Sequence, residues 1–172
     1  FGAQLLMLAF ALLLSLVLAG ILYWRETVLM DRLGPEAFAD GSLLRYRDIF
    51  VFGFLQWLKF GVLAAITLFV ASFSNTNLYT IVVSFFLLVI CQLQYIARDA
   101  YSDLEHGIGR LLVQGLGLIF PNFQLFNVGD QLVFKANEAL PLGTILQITL
   151  YALAYTAAFI LLTQLNFRKR EI

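Results

Sequence analysis

Charge is scarce in this chain. Only 13% of its 172 residues are Asp, Glu, Lys or Arg, against roughly 25% in a soluble domain. The formal net charge is zero, so composition gives no reason to expect a nucleic-acid partner. Cys91 is the only cysteine, which excludes an internal disulfide and a cysteine metal cluster. Within an apolar stretch it reads as a small core residue. No G-x-x-x-x-G-K-S/T loop occurs, so this chain carries no phosphate-cradling site for ATP. Gly107, Gly109, Gly115 and Gly117 make no dinucleotide fingerprint, because no strand precedes them. There is no internal repeat, low-complexity stretch or glycosylation sequon.

What is present is apolar sequence, 61% of the chain. Residues 1–24, 78–97 and 143–165 carry no charge, and 50–73 carries only Lys59. A helix needs about 20 apolar residues to cross the hydrocarbon core. Only helices and closed barrels satisfy their backbone there. The stretches are continuous rather than alternating, which selects helices over barrel strands. The spans use most of the length and leave no room for a separate soluble catalytic domain. The expected fold is all-α: a polytopic transmembrane helical bundle, with four spans plus a re-entrant or interfacial helix before the last. Residues 1–24 make a poor signal peptide, lacking a basic leader and exceeding the roughly 7–15 residues of such an apolar region. The first residue is Phe, so the chain is expected to begin inside a longer protein.

The links are polar. Tyr23-Trp24-Arg25 marks a membrane–water interface and the expected end of the first helix. Residues 25–49 mix Arg25, Arg32, Arg45 and Arg47 with Glu26, Asp31, Glu36, Asp40 and Asp48. Gly34-Pro35 and Asp40-Gly41 are turn signals there, and short interfacial helices suit the pieces between them. The link at 72–77 is a tight turn, so spans two and three are expected to be antiparallel neighbours. Residues 111–120 are apolar but reach roughly 15 Å, about half the core. Gly115 and Gly117 loosen this piece and Pro121 closes it. A re-entrant or interfacial helix fits it better than a span.

Two arguments about orientation collide. The basic tail Arg168-Lys169-Arg170 belongs in the cytoplasm. With four spans, residues 25–49 and 98–140 then lie outside and the turn at Asn75 inside. With a fifth span over 103–120, both arginine-bearing loops turn inward and only Lys135 stays outside. Charge counting favours five spans, although that fifth helix enters through Asp103, Glu105, His106 and Arg110.

Polar residues within the spans are the candidate functional groups. Lys59 is the sharpest, since an ammonium at the bilayer centre costs about 2.5–3.5 kcal/mol on insertion scales. It faces either a translocation path or partner helix, or it snorkels to the headgroups from a helix that starts late. Gln56 lies one turn before it. Gln92, Gln94 and Gln147 line a route or tie helices together. Gly61/Ala65 and Ala154/Ala158 are small-residue pairs suited to close helix contact. Asp99, Asp103, Glu105 and His106 are the one cluster with metal-ligand residue types. A solvated helix face is the plainer reading of them, because one histidine is a poor basis for a zinc site.

A resemblance adds to this reading. The segment Pro121-Asn122-Phe123-Gln124-Leu125-Phe126-Asn127 is followed by Tyr151-Ala152-Leu153-Ala154-Tyr155-Thr156 and the tail Asn166-Phe167-Arg168-Lys169-Arg170-Glu171. Ala71-Ser72-Phe73-Ser74 closes an upstream span. In that order these elements resemble the permease subunits of type-2 ABC transporters, in the branch associated with multi-copper enzyme maturation. Such permeases carry P-N-(aromatic or Leu)-x-x-F-(N or D), Y-x-x-x-Y-T, F-R-(R/K)-R and S-x-F-S elements. The likeness covers the whole chain. Phe1-Gly2 looks like the end of the family's G-K-(aromatic)-x-G element.

The resemblance implies that residues 1–172 are one transmembrane domain, helices three to six of a six-helix permease. Two further helices and the coupling helix that meets the ATPase would precede it. It implies no catalytic, cofactor or metal site on this chain, with ATP and Mg held by a partner ABC ATPase. It implies a second permease copy or homologue, the lipid bilayer as solvent, no nucleic acid, and a cell inner (plasma) membrane with a cytoplasmic C-terminus. Pro121, Asn122, Phe123, Phe126 and Asn127 are the candidate outer gate or re-entrant motif, with the aromatic residues anchored in the interface and the amides capping. Two other classes stand beside the exporter: a membrane anchor passing ATPase motion to an outside partner, and an intramembrane enzyme using Asp103, Glu105 and His106.

The resemblance favours four spans and sets an orientation that labelling tests. In a Cys91→Ala background, an impermeant thiol reagent added to intact cells should reach cysteines placed at positions 40 and 137 and spare one at position 76. Labelling at 76 without labelling at 40 would sink the four-span arrangement.

Overall fold

The computed structural model describes residues 2–34, 45–102, 115, 117, 119–129 and 140–168, with 97–102 as backbone only. Among these, four long helices are present: α1 (Gly2–Leu33), α2 (Tyr46–Phe73), α3 (Asn77–Ser102) and α4 (Leu142–Arg168). A short 3-10 helix covers Phe123–Phe126. All four long helices have the length and hydropathy of membrane spans, α3 over Asn77–Ile96. The chain is therefore a multi-pass, all-α membrane protein.

Two helices run past the ends of their apolar stretches. α1 continues through the Tyr23-Trp24-Arg25 boundary to Leu33, which corrects the expected helix end. An interface signal marks where lipid stops, and nothing there interrupts the i→i−4 hydrogen bonds. The helix stops where the backbone changes hand. Gly34 has φ 79° and its N–H bonds back to Met30 O at 3.0 Å, a left-handed glycine cap ahead of Pro35. Likewise α2 starts at Tyr46 rather than near Phe50.

The chain divides into two compact units. The first comprises Phe1–Leu58 and Phe126–Thr149, the second Lys59–Leu125 and Leu150–Ile172. In the first, α1 and the start of α2 pack antiparallel. Tyr46 OH donates to the Glu26 carboxylate, and the Tyr46 ring meets Tyr23 edge-on at 6.2 Å. Trp57 Nε1 donates to Gln4 O at 3.1 Å. Between these ends the helices approach closely at Gly53, where an added Cβ would fall 2.1 Å from Ser15 Oγ. Ser15 is the buried residue of α1, its hydroxyl bonded to Ala11 O at 2.8 Å.

In the second unit, α2 turns into α3 through residues 74–76. Ser74 Oγ and the Thr76 backbone bond each other, and Thr76 Oγ1 accepts the Tyr79 N–H at 3.3 Å to cap α3. The link is the tight turn that its length required. α4 lies along α2 in the same direction. Phe69 packs on Phe159 at 5.7 Å, and further along both helices Asn166 Nδ2 donates to Ser72 Oγ at 2.9 Å. Since α3 reverses α2, the end of α3 and the start of this part of α4 face the same side. An additional span between them would put them on opposite sides. Among the described residues, contact direction agrees with four spans and not with the count of basic residues.

Burial concentrates on α2, with 33% of its apolar window buried against 6% for α1 and 11% for α3 and α4. Leu55 and Leu58 in the first unit and Val62, Ala65, Ile66 and Val70 in the second recur at helical spacing. The other helices expose rows of Leu, Ile and Phe, the surface that lipid solvates. Of the two small-residue pairs, Ala65 is buried, whereas Ala154 and Ala158 are exposed.

Gly53→Val should destabilise the α1–α2 pair by about 1–3 kcal/mol through overpacking. Gly53→Ala should cost less when combined with Ser15→Ala, which clears the clashing hydroxyl. Unfolding of purified protein in mixed micelles reads both. Equal costs for Gly53→Ala with and without Ser15→Ala would show that the helices do not meet there.

Candidate functional site

The site grows from the break at Pro121. Residues 115, 117 and 119 are helical, and the helix ends before Pro121, which has no N–H with which to continue it. The re-entrant helix expected over 111–120 otherwise lies outside the described residues. After the break the backbone would be left with free amides in an apolar setting, and side chains take them up. Asn122 Oδ1 accepts the Gln124 N–H at 3.0 Å, an Asx turn that starts the 3-10 helix. The Asn122 N–H itself donates to Tyr151 OH on α4 at 2.7 Å. Asn122 therefore caps, as its residue type suggested.

Phe123 and Phe126 are both 0% exposed. This corrects the expectation that they anchor the segment in the lipid interface: they are plugs in the protein interior. The 3-10 geometry, three residues per turn, puts residues 123 and 126 on one side. Pro121 is also fully buried, while Asn127 is exposed and its Oδ1 lies 3.5 Å from where a Cβ on Gly129 would sit.

In the second unit Lys59 reaches across to α3. Its Nζ donates to Gln92 Oε1 at 3.1 Å and lies 5.5 Å from the centre of the Phe123 ring. α2 starts at Tyr46, ahead of the apolar stretch 50–73, and the Lys59 amine turns to α3 rather than along its own helix. The Gln92 bond and the Phe123 ring, a cation–π contact of about 0.5–1 kcal/mol at a half-buried site, offset part of the insertion cost of the ammonium. Gln94, also on α3, has a buried Oε1 with no hydrogen-bond partner. Its Nε2 sits 3.2 Å from the position of a Cβ on Gly117.

In the first unit Gln56 Nε2 donates to Phe126 O at 3.0 Å. Gln147 is exposed on α4. The side chains of Asp99, Asp103, Glu105 and His106 lie outside the described residues.

Sequence reasoning gave no role to Tyr151, the hydroxyl that holds the turn. The available signal was the i, i+4, i+8 spacing of Tyr151, Tyr155 and Phe159. Their rings form a file at centroid distances of 4.7 and 6.4 Å, continued by Phe69 at 5.7 Å from Phe159 and by Phe73 at 5.3 Å from Phe69.

Comparison with protein-family models, characterised proteins and solved structures finds no match to this chain.

Tyr151→Phe keeps the ring against Tyr155 and removes the acceptor for Asn122 N–H. The part-buried amide left unpaired should cost about 1 kcal/mol, and hydrogen exchange over residues 122–126 should accelerate. Unchanged exchange in that segment would mean that the hydroxyl does not hold the turn.

Proposed function

We propose that the chain is the transmembrane permease subunit of an ATP-driven ABC transporter of the type-2 class, an exporter working with a separate ATPase. The observation that carries this reading concerns the sequence elements behind the resemblance. They are far apart in the chain, and they meet in pairs. The Pro121–Asn127 element bonds to the Tyr151–Thr156 element through Asn122 and Tyr151. The Ser72 element bonds to the tail element through Asn166. A chance collection of short motifs has no reason to pair in space. Elements kept together by one architecture do.

In this reading two permeases surround a path, and ATPase subunits bind from the cytoplasmic side of an inner (plasma) membrane, the side of the C-terminus. ATP and Mg belong to those subunits, as no phosphate loop occurs in this sequence. The permease contributes contacts that differ between two states rather than bond chemistry. The turn at Pro121 covers the outer mouth of the path, and its buried phenylalanines hold it in place.

Purified in mild detergent, the protein should bring down a separate ATPase and hydrolyse no ATP once freed of it. Pro121→Ala and Asn122→Ala should lower transport in vesicles more than they lower folding or ATPase assembly. Robust hydrolysis by the verified-pure membrane subunit would refute the reading. Wild-type transport in both variants would remove the gate.

A further inference from the structure

We infer that Lys59, Gln92 and Phe123 form a binding site for an organic anion, an oxyanion head on an apolar body. The argument starts from charge balance. Lys59 lies midway along the 28-residue α2, about 20 Å from either end at 1.5 Å per residue. Its contacts, Gln92 Oε1 and the Phe123 ring, are both neutral. The spans of its unit, residues 59–73, 77–96 and 150–168, contain no Asp or Glu. The positive charge is stabilised by dipoles and a ring face and has no counter-charge among the described side chains of these spans.

The polarity of the neighbours points the same way. An ammonium has three N–H donors and no acceptor, and Gln92 receives one of them. That bond fixes the Gln92 amide with its oxygen toward Lys59, because the ammonium cannot accept. The Gln92 NH2 group is left as a second donor beside the cation. A cationic guest finds no carboxylate among the described side chains here. An oxyanion finds an ammonium and an amide N–H2, in surroundings where a low dielectric strengthens charge-assisted hydrogen bonds. Phe123, fully buried, closes the protein side of the ammonium, and the apolar spans around Lys59 suit the rest of such a molecule. Within the apolar stretch 50–73 Lys59 lies about 14 Å from one end and about 21 Å from the other at 1.5 Å per residue, which argues against a phospholipid headgroup as the occupant, since headgroups lie at the ends of the span. Only the role of this anion as cargo rests on the transporter reading.

The test uses the full chain in phosphatidylcholine nanodiscs, with its lysine amines 13C-methylated. The lysines are Lys59, Lys135 and Lys169. Lys135→Arg and Lys169→Arg assign the three signals without touching the site. Octanoate and octyl phosphate should each shift the Lys59 resonance saturably and leave Lys135 and Lys169 in place. Octylammonium and octanol should not shift it. Octanoate should stabilise the unmethylated protein thermally, and Lys59→Arg should retain that effect. Lys59→Gln should weaken octanoate binding about tenfold or more. Absence of a saturable Lys59 shift, or an equal response to octanol, overturns the site. So does a Lys59 shift on exchanging phosphatidylcholine for phosphatidylglycerol without added probe, which would identify a lipid headgroup as the occupant. Anion binding without a copurifying ATPase would defeat the transporter reading alone. A copurifying ATPase without anion binding would defeat this inference alone.

Discussion

A backbone amide in hydrocarbon has no water to bond with, so each must be met by the chain itself. That constraint accounts for the long unbroken helices, which satisfy their amides internally. It also accounts for the care taken where a helix stops. Beyond the apolar stretch the chain still meets its own helix end, where left-handed Gly34 returns its N–H to Met30 O. At Thr76 a hydroxyl receives the amide of Tyr79. At Pro121 the break lies among buried residues, and Asn122 and Tyr151 take up the amides that follow. The irregular backbone persists there because protein surrounds it.

The same scarcity of water governs the polar side chains. Ser15, Thr67, Thr149 and Thr163 return their hydroxyls to the preceding turn of their own helices, the usual recourse of such residues in a span. Lys59, Trp57, Asn166 and Gln56 instead reach other segments. Interhelical hydrogen bonds in membranes average only about 0.6 kcal/mol, so their effect is chiefly on register and direction. Asn166 and Ser72 fix α4 parallel to α2 in this way.

Function in this reading follows from placement rather than from chemistry. The Pro121 turn, the ring file from Tyr151 to Phe73 and the Ser72–Asn166 bond make a continuous run of contacts within one unit. Lys59 joins that unit's α2 to α3 and to Phe123. A permease needs elements whose contacts can differ between two arrangements. A buried turn held by one tyrosine hydroxyl, next to an ammonium with only neutral partners, has contacts of that kind.

The spans, their helical form, the tight turn at 74–76 and the break at Pro121 were legible in the sequence. Each depends on local chemistry: length against bilayer thickness, unbroken apolarity, and a residue without an N–H. Helix ends were read too early at Tyr23-Trp24-Arg25, because solvent boundary and hydrogen-bond boundary are different properties. Only tertiary structure placed Phe123 and Phe126 in the interior, since aromatic composition suits an interface and a core equally. Only tertiary structure gave the helix direction that agrees with four spans among the described residues. Basic residues report a statistical preference of loops, whereas the Ser72–Asn166 and Phe69–Phe159 contacts report helix direction itself. The partner of Lys59 was likewise undetermined, because a sequence states that a charge must be met and not which side chain, a full helix away, will meet it.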